Sequence, residues 1–427
     1  MMPISRLLVS TATLVASFAA NGRASEPVRL DDEQIFAGWI SLFDGETLFG
    51  WKATSDANWR AEEGEIHVDA GEPGFLMTNG EFADYELHVE FKAPADTNSG
   101  IFIRSSLEPT DPTKDCVEIN IAPPNNPFPT ISLVGRQRFQ LQTTTPLAAI
   151  NDAGGKRFVE ADQLPDPWDG EWHAFDISVN GSVVIVALDG VAPWTGSVHD
   201  FLAGVGDPRR GHIGLQFREG RVAFRNIRLR PLGLQPMLNG RDLTGWNTDH
   251  TEDGRFEMND RGELLVRGGR GILETDASFA DFIMQLDCYV DGEGLNSGVF
   301  FRSIPREFAN GYESQIHNGV IDGDQTQPVD AGTGAIYRRT VARRVVSQDR
   351  QWFTKTVLAT GPHIAVWVNG VHVTDWTDDR PAHDNPRNGR RLAGGTIALQ
   401  AHDPTTNLRF RNLRIAELPE SPPGPDQ

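Results

Sequence analysis

Residues 98–104 read Asn-Ser-Gly-Ile-Phe-Ile-Arg, and residues 296–302 repeat them as Asn-Ser-Gly-Val-Phe-Phe-Arg. Other stretches recur in the same order. Residues 42–51 end in Gly-Trp and return as residues 238–246, and Leu-Gln followed by Phe-Arg-Asn closes each half. The period is about 180 to 200 residues, far longer than the roughly 20 to 50 of solenoid arrays, so the chain is a duplicated domain.

Strand patterns surround the repeated stretches. Residues 85–91 alternate apolar and polar side chains, and residues 282–290 do the same. Asn180-Gly181 and Asn369-Gly370 each join two short apolar runs, and Asn-Gly favours tight hairpins. With 43 glycines and no long helical face, the chain is predicted to be all-β, with two tandem antiparallel sandwiches of jelly-roll type.

The boundary between the halves is predicted at residues 230–236, where two prolines flank a glycine. This gives a first domain over residues 38–231, a second over residues 236–418 and a loose proline-rich tail over residues 419–427. In a chain of 427 residues, each domain has about 190 residues, which is enough to bury a sizeable core.

The first 24 residues have the pattern of a secretory signal peptide. Arg6 precedes an apolar run from Leu7 to Ala20, and small residues around Ala19 and Ala24 suit cleavage. The run is too short to span a membrane. We therefore expect an exported protein, periplasmic or extracellular, that does not insert into the membrane.

Composition limits the partners and the redox chemistry. A net charge of −20 argues against a nucleic acid partner, because phosphate binding needs clustered Lys and Arg. Cys116 and Cys288 fall in different repeats, and Cys288 alternates in phase with the apolar residues Phe282, Met284 and Leu286. Two separate buried thiols are favoured over a disulfide bond.

Two further motifs of the second half complete a family resemblance. They are Gly-Tyr-Glu-x-Gln-Ile at residues 311–316 and Thr-Gly-Ala-Ile-Tyr at residues 333–337. Together with the repeated stretches, they resemble the 3-keto-disaccharide hydrolase domain family, whose members are described as 3-keto-glucoside 1,2-lyases and 3-keto-2-hydroxyglucal hydratases. The resemblance spans residues 38–418. It implies concanavalin A-like jelly-roll sandwiches, export, and an oligosaccharide or 3-keto-glycoside substrate.

The reaction implied by the resemblance sets the requirements for a site. A ketone at C3 of a glycoside acidifies the hydrogen at C2, so a base can remove it. The enolate then expels the C1 substituent, and water adds back to the glucal. Such a site needs a base, an acid near the leaving oxygen, and donors or a divalent metal ion (Ca, Mg, Mn or Zn) at the C3 oxygen.

One strand of the second half carries three polar side chains on the same face. Glu313, Gln315 and His317 occupy alternate positions, which places them together on the strand. They form a candidate platform, with Glu313 catalytic, Gln315 binding substrate and His317 as a metal ligand; an ordinary solvent-facing strand is the alternative. The first half has Glu118 and Asn120 as candidate substrate-binding residues, and alanine in the third position.

An arginine ends each Asn-Ser-Gly strand. A guanidinium such as that of Arg302 or Arg104 can bind two sugar oxygens or stabilise an enolate. The alternative is an ion pair with Glu313 or Glu118 on the neighbouring strand. The two interpretations are compatible, since a paired arginine also positions the carboxylate.

Three more residues of the second half are candidates. Gln400, for substrate binding, and His402, for proton transfer, lie on one strand face, whereas the first half has Arg218 where His402 stands. Tyr337, from the second motif, is a catalytic candidate with no tyrosine at the matching place in the first half. We expect the second half to be the catalytically competent one, with Glu313 and His402 as the candidate acid–base pair and the choice of base left open.

Two other functions compete with this hypothesis. The first is a non-catalytic carbohydrate-binding sandwich, which would present tryptophans on a flat face. The second is an ordinary glycoside hydrolase on the same fold, which needs two carboxyls about 5 Å apart in a retaining enzyme. The Glu-x-Asp-x-x-Glu strand of laminarinase-like sandwiches is absent from the sequence. Convergence of the polar candidates in one concavity would favour catalysis.

Overall fold

The computed structural model describes residues 29–109, 116–134, 165–191 and 209–420, and the backbone of residues 157–158 and 194–195. The predicted signal peptide and the last residues of the predicted tail, 421–427, lie outside this part of the chain. Within it, no helix combines the length and apolar character needed to cross a membrane.

The first half is a sandwich of antiparallel strands preceded by one short helix. Its elements are α1 (Asp32–Phe36), β1 (Ile40–Ser41), β2 (Trp51–Ala53), β3 (Arg60–Glu62), β4 (Glu65–Val68), β5 (Gly74–Thr78), β6 (Tyr85–Lys92), β7 (Asn98–Ser105), β8 (Val117–Ile121), β9 (Leu133–Val134), β10 (Arg157–Phe158), β11 (His173–Asn180), β12 (Val183–Leu188), β13 (Trp194–Thr195), β14 (His212–Glu219) and β15 (Val222–Pro231). One sheet has the order β12-β11-β6-β15-β4-β3, with β1 beside β15, and the other has the order β2-β5-β14-β7-β8-β9. Strands β10 and β13 pair separately.

The second half repeats this architecture. Its elements are β16 (Gln235–Pro236), β17 (Trp246–Asn247), β18 (Arg255–Met258), β19 (Leu264–Arg267), β20 (Gly271–Thr275), β21 (Phe282–Val290), β22 (Ser297–Ser303), β23 (Tyr312–Ile316), β24 (Val320–Ile321), β25 (Asp324–Pro328), a 3-10 turn (Val329–Ala331), β26 (Trp352–Thr360), β27 (His363–Val368), β28 (Val371–Thr377), β29 (Thr396–Ala401) and β30 (Asn407–Glu417). One sheet has the order β18-β19-β30-β21-β26-β27-β28, with β16 beside β30, and the facing sheet has the order β17-β20-β29-β22-β23. The predicted all-β fold of two tandem jelly-roll sandwiches is confirmed.

Period-two alternation places the core between the sheets. In β6, Leu87, Val89 and Phe91 are buried, while the residues between them are only half-buried. Strand β21 is buried along nearly its whole length, because its outer face is also covered: Ile283 packs in the core cluster of the first half. Cys116 and Cys288 are both free and buried, which confirms the prediction of two separate thiols.

The repeated motifs are structural devices of the sandwich. Trp51 donates its indole N–H to the carbonyl of Leu42 at 2.6 Å, and Trp246 donates to Met237 at 2.8 Å, so each tryptophan closes the opening turn of its domain. In the closing Phe-Arg-Asn motif, Asn412 has a φ of +52° at a register shift between β21 and β30. A bulge there re-aims the strand as it crosses the sheet.

Candidate functional site

An open cleft of about 460 Å³ lies on the outer face of the sheet that contains β22, β23 and β29. Its lining combines polar, aromatic and cationic side chains: Arg270, Asn296, Phe308, Ala309, Asn310, Glu313, Gln315, Tyr337, Arg338, Arg387, Gln400 and His402. The structure therefore brings together five residues predicted from the sequence, which are Glu313, Gln315, Tyr337, Gln400 and His402. No tryptophan is among the described residues that line it.

Glu313 lies over the glycine of the Asn-Ser-Gly motif. A Cβ atom built on Gly298 would approach Glu313 Oε1 to 2.6 Å, so only glycine leaves room for the carboxyl in this place. Glu313 is 5% exposed, and Arg387 Nη2 lies 3.0 Å from its Oε2. Burial raises the pKa of Glu313, and the charge and hydrogen bond of Arg387 offset part of that rise.

Two glutamine side chains flank Glu313. Gln315 and Gln400 are both buried, and within the described chain neither Oε1 atom has a hydrogen-bond partner. Gln315 Nε2 donates to Asp330 Oδ2 at 2.9 Å, which fixes the amide so that its oxygen is the free end. Since buried acceptors are normally satisfied, these two oxygens are suited to receive hydroxyl groups of a bound sugar.

His402 lies immediately after the end of β29. Its side chain is 41% exposed, and its Nδ1 lies 2.9 Å from Asp403 Oδ2. Hydrogen bonds from Thr405 and His402 lower the pKa of Asp403, so a carboxylate orients the ring and leaves Nε2 available. An imidazole held in this way can accept or donate a proton at Nε2.

Tyr337 enters the cleft from the loop after the 3-10 turn. Its backbone N–H donates to the carbonyl of Glu313 at 2.9 Å, so the second motif is attached directly to the strand that carries the carboxyl. The guanidinium of Arg338 lies 5.4 Å from the centre of the Tyr337 ring. The Tyr337 side chain is half-buried and lines the cleft, so its phenol is not part of the core.

The structure corrects the assignment of Arg302 and Arg104 as substrate-binding residues. Arg302 is fully buried and donates to the carbonyls of Ala280 and Gly361, each at 2.7 Å. It pairs with Asp281 at 2.7 Å, so the alternative of an ion pair with Glu313 is wrong as well. Arg104 repeats this arrangement with Asp84 at 2.6 Å. Both guanidinium groups are used up inside the fold and cannot reach a sugar.

The structure also corrects the placement of His317. Strand β23 ends at Ile316, and His317 is not among the residues that line the cleft. Its Nδ1 accepts the backbone N–H of Gly319 at 3.2 Å. The described residues contain no group of three or more His, Cys, Asp or Glu side chains that could hold a metal ion.

Several residues of the cleft were not predicted from the sequence. Arg387 comes from the loop between β28 and β29, where it reaches Glu313 and also donates from Nε to the carbonyl of Ala309 at 2.9 Å. The guanidinium of Arg270 lies 4.3 Å from the centre of the Phe308 ring. These residues occupy irregular loops, where no periodicity marks the side chains that share a face.

The first domain keeps part of the same arrangement. The Glu118 carboxyl lies over Gly100, where a Cβ atom would approach its Oε1 to 2.6 Å. Asn120 Oδ1 and Gln216 Oε1 are buried without a hydrogen-bond partner in the described chain. Burial raises the pKa of Glu118 to about 7, and the charge of Arg218 acts against that rise. Arg218 stands where the second domain has His402.

Comparison with known proteins agrees with the duplicated architecture. The model of the 3-keto-alpha-glucoside-1,2-lyase-like domain matches twice, over residues 38–230 and 233–416. A 3-keto-disaccharide hydrolase of Bacteroides thetaiotaomicron is 29% identical over 118 residues, which cover 25% of this chain and 40% of that protein. The match therefore spans less than half the length of this curated relative.

Solved structures give matches to about half of the chain. A Parabacteroides distasonis protein provisionally named a glycosyl hydrolase aligns at a TM-score of 0.36 and 21% identity, covering 44% of this chain and 94% of that one. The carbohydrate-binding module CBM66 of Bacillus subtilis aligns at a TM-score of 0.29 and 18% identity, covering 40% of this chain and 93% of that one.

Proposed function

Because the chain belongs to the 3-keto-alpha-glucoside-1,2-lyase-like domain family over both of its halves, we propose that it is a carbohydrate hydrolase that cleaves 3-keto-glycosides in the cleft of its second domain. The observation that carries the proposal is the convergence of Glu313, His402 and Tyr337 with the amide oxygens of Gln315 and Gln400, which accept no hydrogen bond from the described part of the chain, in one cleft. Several polar groups that point into one concavity are expected of an enzyme site.

In this proposal Glu313 removes the proton at C2 of the substrate. A carboxyl whose pKa is raised by burial is a stronger base than an ordinary glutamate, and it can hold the proton afterwards. Arg387, which already lies 3.0 Å from Glu313, donates to the C3 oxygen as negative charge develops there. Electrons from the C2–H bond form the enolate of the ketone.

Elimination and hydration complete the cycle. The enolate re-forms the ketone, a C1–C2 double bond appears, and the C1–O bond to the leaving group breaks. His402, assisted by the Tyr337 hydroxyl, gives a proton to the leaving oxygen. Water then adds across the double bond, with its hydroxyl on C1 and a proton returned to C2. The net change is hydrolysis, and no oxocarbenium ion is formed.

Incubation of the purified protein with 3-keto-trehalose and 3-keto-glucosides tests the proposal. Aglycone release and absorbance of the glucal are followed with and without a chelator, which shows whether a metal ion takes part. We expect turnover that falls at least a hundredfold in Glu313→Gln. Glu257→Gln is the control, because Glu257 forms an exposed ion pair with Arg267 at 3.3 Å on β18, at the edge of the sheet that does not carry the cleft. Saturable glycan binding without turnover would instead favour the carbohydrate-binding function.

We propose further that the protein is exported. The proposal rests on the signal-peptide pattern of residues 1–24. Cell fractionation combined with N-terminal sequencing of the purified protein tests it. Recovery outside the cytoplasm with a new N-terminus near Ala24 is expected, and an intact N-terminus in the cytoplasmic fraction would contradict it.

A further inference from the structure

A lysine lies in the interior of the second sandwich. Lys355, on β26, is fully buried and faces the core together with Phe353 and Val357. The first domain has Phe175 in the corresponding place. Gly181 and Gly361 accept the equivalent arginine bonds, and Phe175 and Lys355 precede them by the same number of residues. The sandwich can therefore fill this position with an apolar ring, and packing alone does not explain the lysine.

The ammonium group of Lys355 reaches the strand that carries the site. Its Nζ donates to the carbonyls of Ser314 and Gln315, each at 2.8 Å. These carbonyls belong to β23, directly after Glu313, whose side chain points the other way into the cleft. Lys355 thus crosses the core from the opposite sheet and holds the site strand from behind. Moving a cation out of water is unfavourable even when it is hydrogen-bonded, so a buried lysine at a position that accepts phenylalanine in the first domain calls for a function.

We propose that Lys355 is a positioning residue of the cleft: it fixes the backbone between Glu313 and Gln315 and presents a positive charge to the Glu313 carboxyl from behind the sheet. The inference rests on the proposed role of Glu313 as the base. Lys355 would then account for part of the expected difference in activity between the two domains, in addition to the cleft side chains that differ between them.

The charges around the pair support this role. The Glu313 carboxyl is influenced by Arg387, His402 and Lys355, all of which act against the effect of burial on its pKa. Burial lowers the pKa of Lys355 to about 7, and Cys288 and Glu313 act against that shift. The two groups therefore titrate under each other's influence, with the strand backbone between them.

A variant series tests the proposal. In Lys355→Met the titration of the Glu313 carboxyl, followed by infrared difference spectroscopy against Glu313→Gln, is expected to move to higher pH, because a neighbouring positive charge is lost. We expect kcat/KM to fall about tenfold or more, with its acidic limb shifted in the same direction. Thr356→Val is the matched control on the next residue of β26, where only a hydrogen bond from Gln285 at 3.1 Å is lost. Its titration and pH profile should be those of the wild type.

A second measurement does not depend on the folding of a lysine variant. In protein with isotope-labelled lysine, the side-chain resonance of Lys355 is titrated in the wild type and in Glu313→Gln. Loss of the negative charge should lower the pH at which Lys355 titrates. An unchanged Lys355 titration, or a Lys355→Met variant with the wild-type carboxyl titration and pH profile, would overturn the proposal. Neither titration requires turnover, so a failed keto-glycoside assay leaves this test intact.

Discussion

Gly298 decides where the Glu313 carboxyl lies. A Cβ atom at this position would come within 2.6 Å of Oε1 and 2.8 Å of Cγ of Glu313, contacts that real side chains do not make. The glycine has no unusual backbone angle to justify it, since Gly298 is not among the residues with positive φ. Space for the carboxyl is therefore the reason for glycine in the Asn-Ser-Gly motif.

The first prediction is that Gly298→Ala displaces the carboxyl and leaves the fold intact. The Glu313 side chain can rotate away, so we expect the free energy of unfolding to change by about 1 kcal/mol or less, while turnover falls roughly tenfold to a hundredfold. Turnover of 3-keto-glucosides and chemical unfolding check the two parts. Gly100→Ala is the matched control, because it makes the same contact with Glu118 in the first domain. Equal losses in both variants would show that both domains turn over substrate.

The cleft residues differ in how far the sequence could predict them. Glu313 and Gln315 alternate on one strand, and that spacing was enough to place them on a common face. Arg302 has the same kind of strand position, but its φ of +47° turns it out of the alternation and into the core. Arg387 reaches Glu313 from an irregular loop. The direction of a side chain in such a loop follows no period in the sequence, so this contact could not be predicted.

The strand that carries Arg302 shows how an element is held in place. Where β22 shifts register against β29, Arg302 donates to backbone carbonyls of Ala280 and Gly361 and pairs with Asp281. Arg104 does the same for β7. The buried guanidinium satisfies the carbonyl groups of Ala280, just before β21, and of Gly361, in the turn between β26 and β27. The arginine of the motif thus belongs to the sheet rather than to the substrate.

Replacement of Arg302 by methionine should therefore lower stability. We expect the free energy of unfolding of Arg302→Met to fall by roughly 3 kcal/mol or more, since Asp281 and the carbonyls lose their partner. Urea unfolding followed by circular dichroism measures it. In Arg267→Met, which removes an exposed pair with Glu257, the change should stay below about 1 kcal/mol. A variant of Arg302 with full stability and weakened substrate binding would restore the substrate-binding role.

Both sandwiches are joined into one molecule by a polar and aromatic contact surface. Arg343 pairs with Asp44 at 2.7 Å, Arg210 pairs with Asp281 at 2.6 Å, and the indole N–H of Trp367 donates to the carbonyl of Ser41 at 2.9 Å. The outer face of β27, and that of β26 from Thr356 onward, is buried for this reason. Alternation in the sequence could predict the inner face of these strands, but a run buried on both faces shows no period that would reveal the contact between domains.

At the scale of the two domains, we predict two sugar sites with different chemistry. Glu118, Asn120 and Gln216 retain the carboxyl and amide pattern, whereas Arg218 replaces the imidazole. Calorimetric titration of Glu313→Gln with 3-keto-trehalose should show two binding sites, because the substitution removes the base and leaves Gln315 and Gln400 in place. Adding Glu118→Leu should remove one of the two sites and leave the unfolding transition in place. A single site in Glu313→Gln, or two sites that survive both substitutions, would contradict a first-domain site.

Protonation of His372 should weaken the contact between the two domains at low pH. Its ring stacks on Trp367 with centroids 4.3 Å apart and meets the edge of Phe49 from the first domain at 4.9 Å. Burial lowers the pKa of His372 from 6.5 to about 4, although the charge of Asp375 acts in the opposite direction. The folded protein therefore keeps this ring neutral at a pH where the unfolded chain has already protonated it.

Between pH 6.5 and about 4, protons bind preferentially to the unfolded chain. The contribution of His372 to the free energy of unfolding is therefore present above about pH 6.5 and is lost as the pH falls to about 4. The loss amounts to roughly 3 kcal/mol for such a shift. Urea unfolding of the wild type and of His372→Gln at several pH values measures it as a difference, in which the contributions of the other titrating groups cancel. The variant should lose less stability over this range than the wild type. Parallel stability curves for the wild type and His372→Gln would show that the His372 ring does not titrate at the contact between the domains.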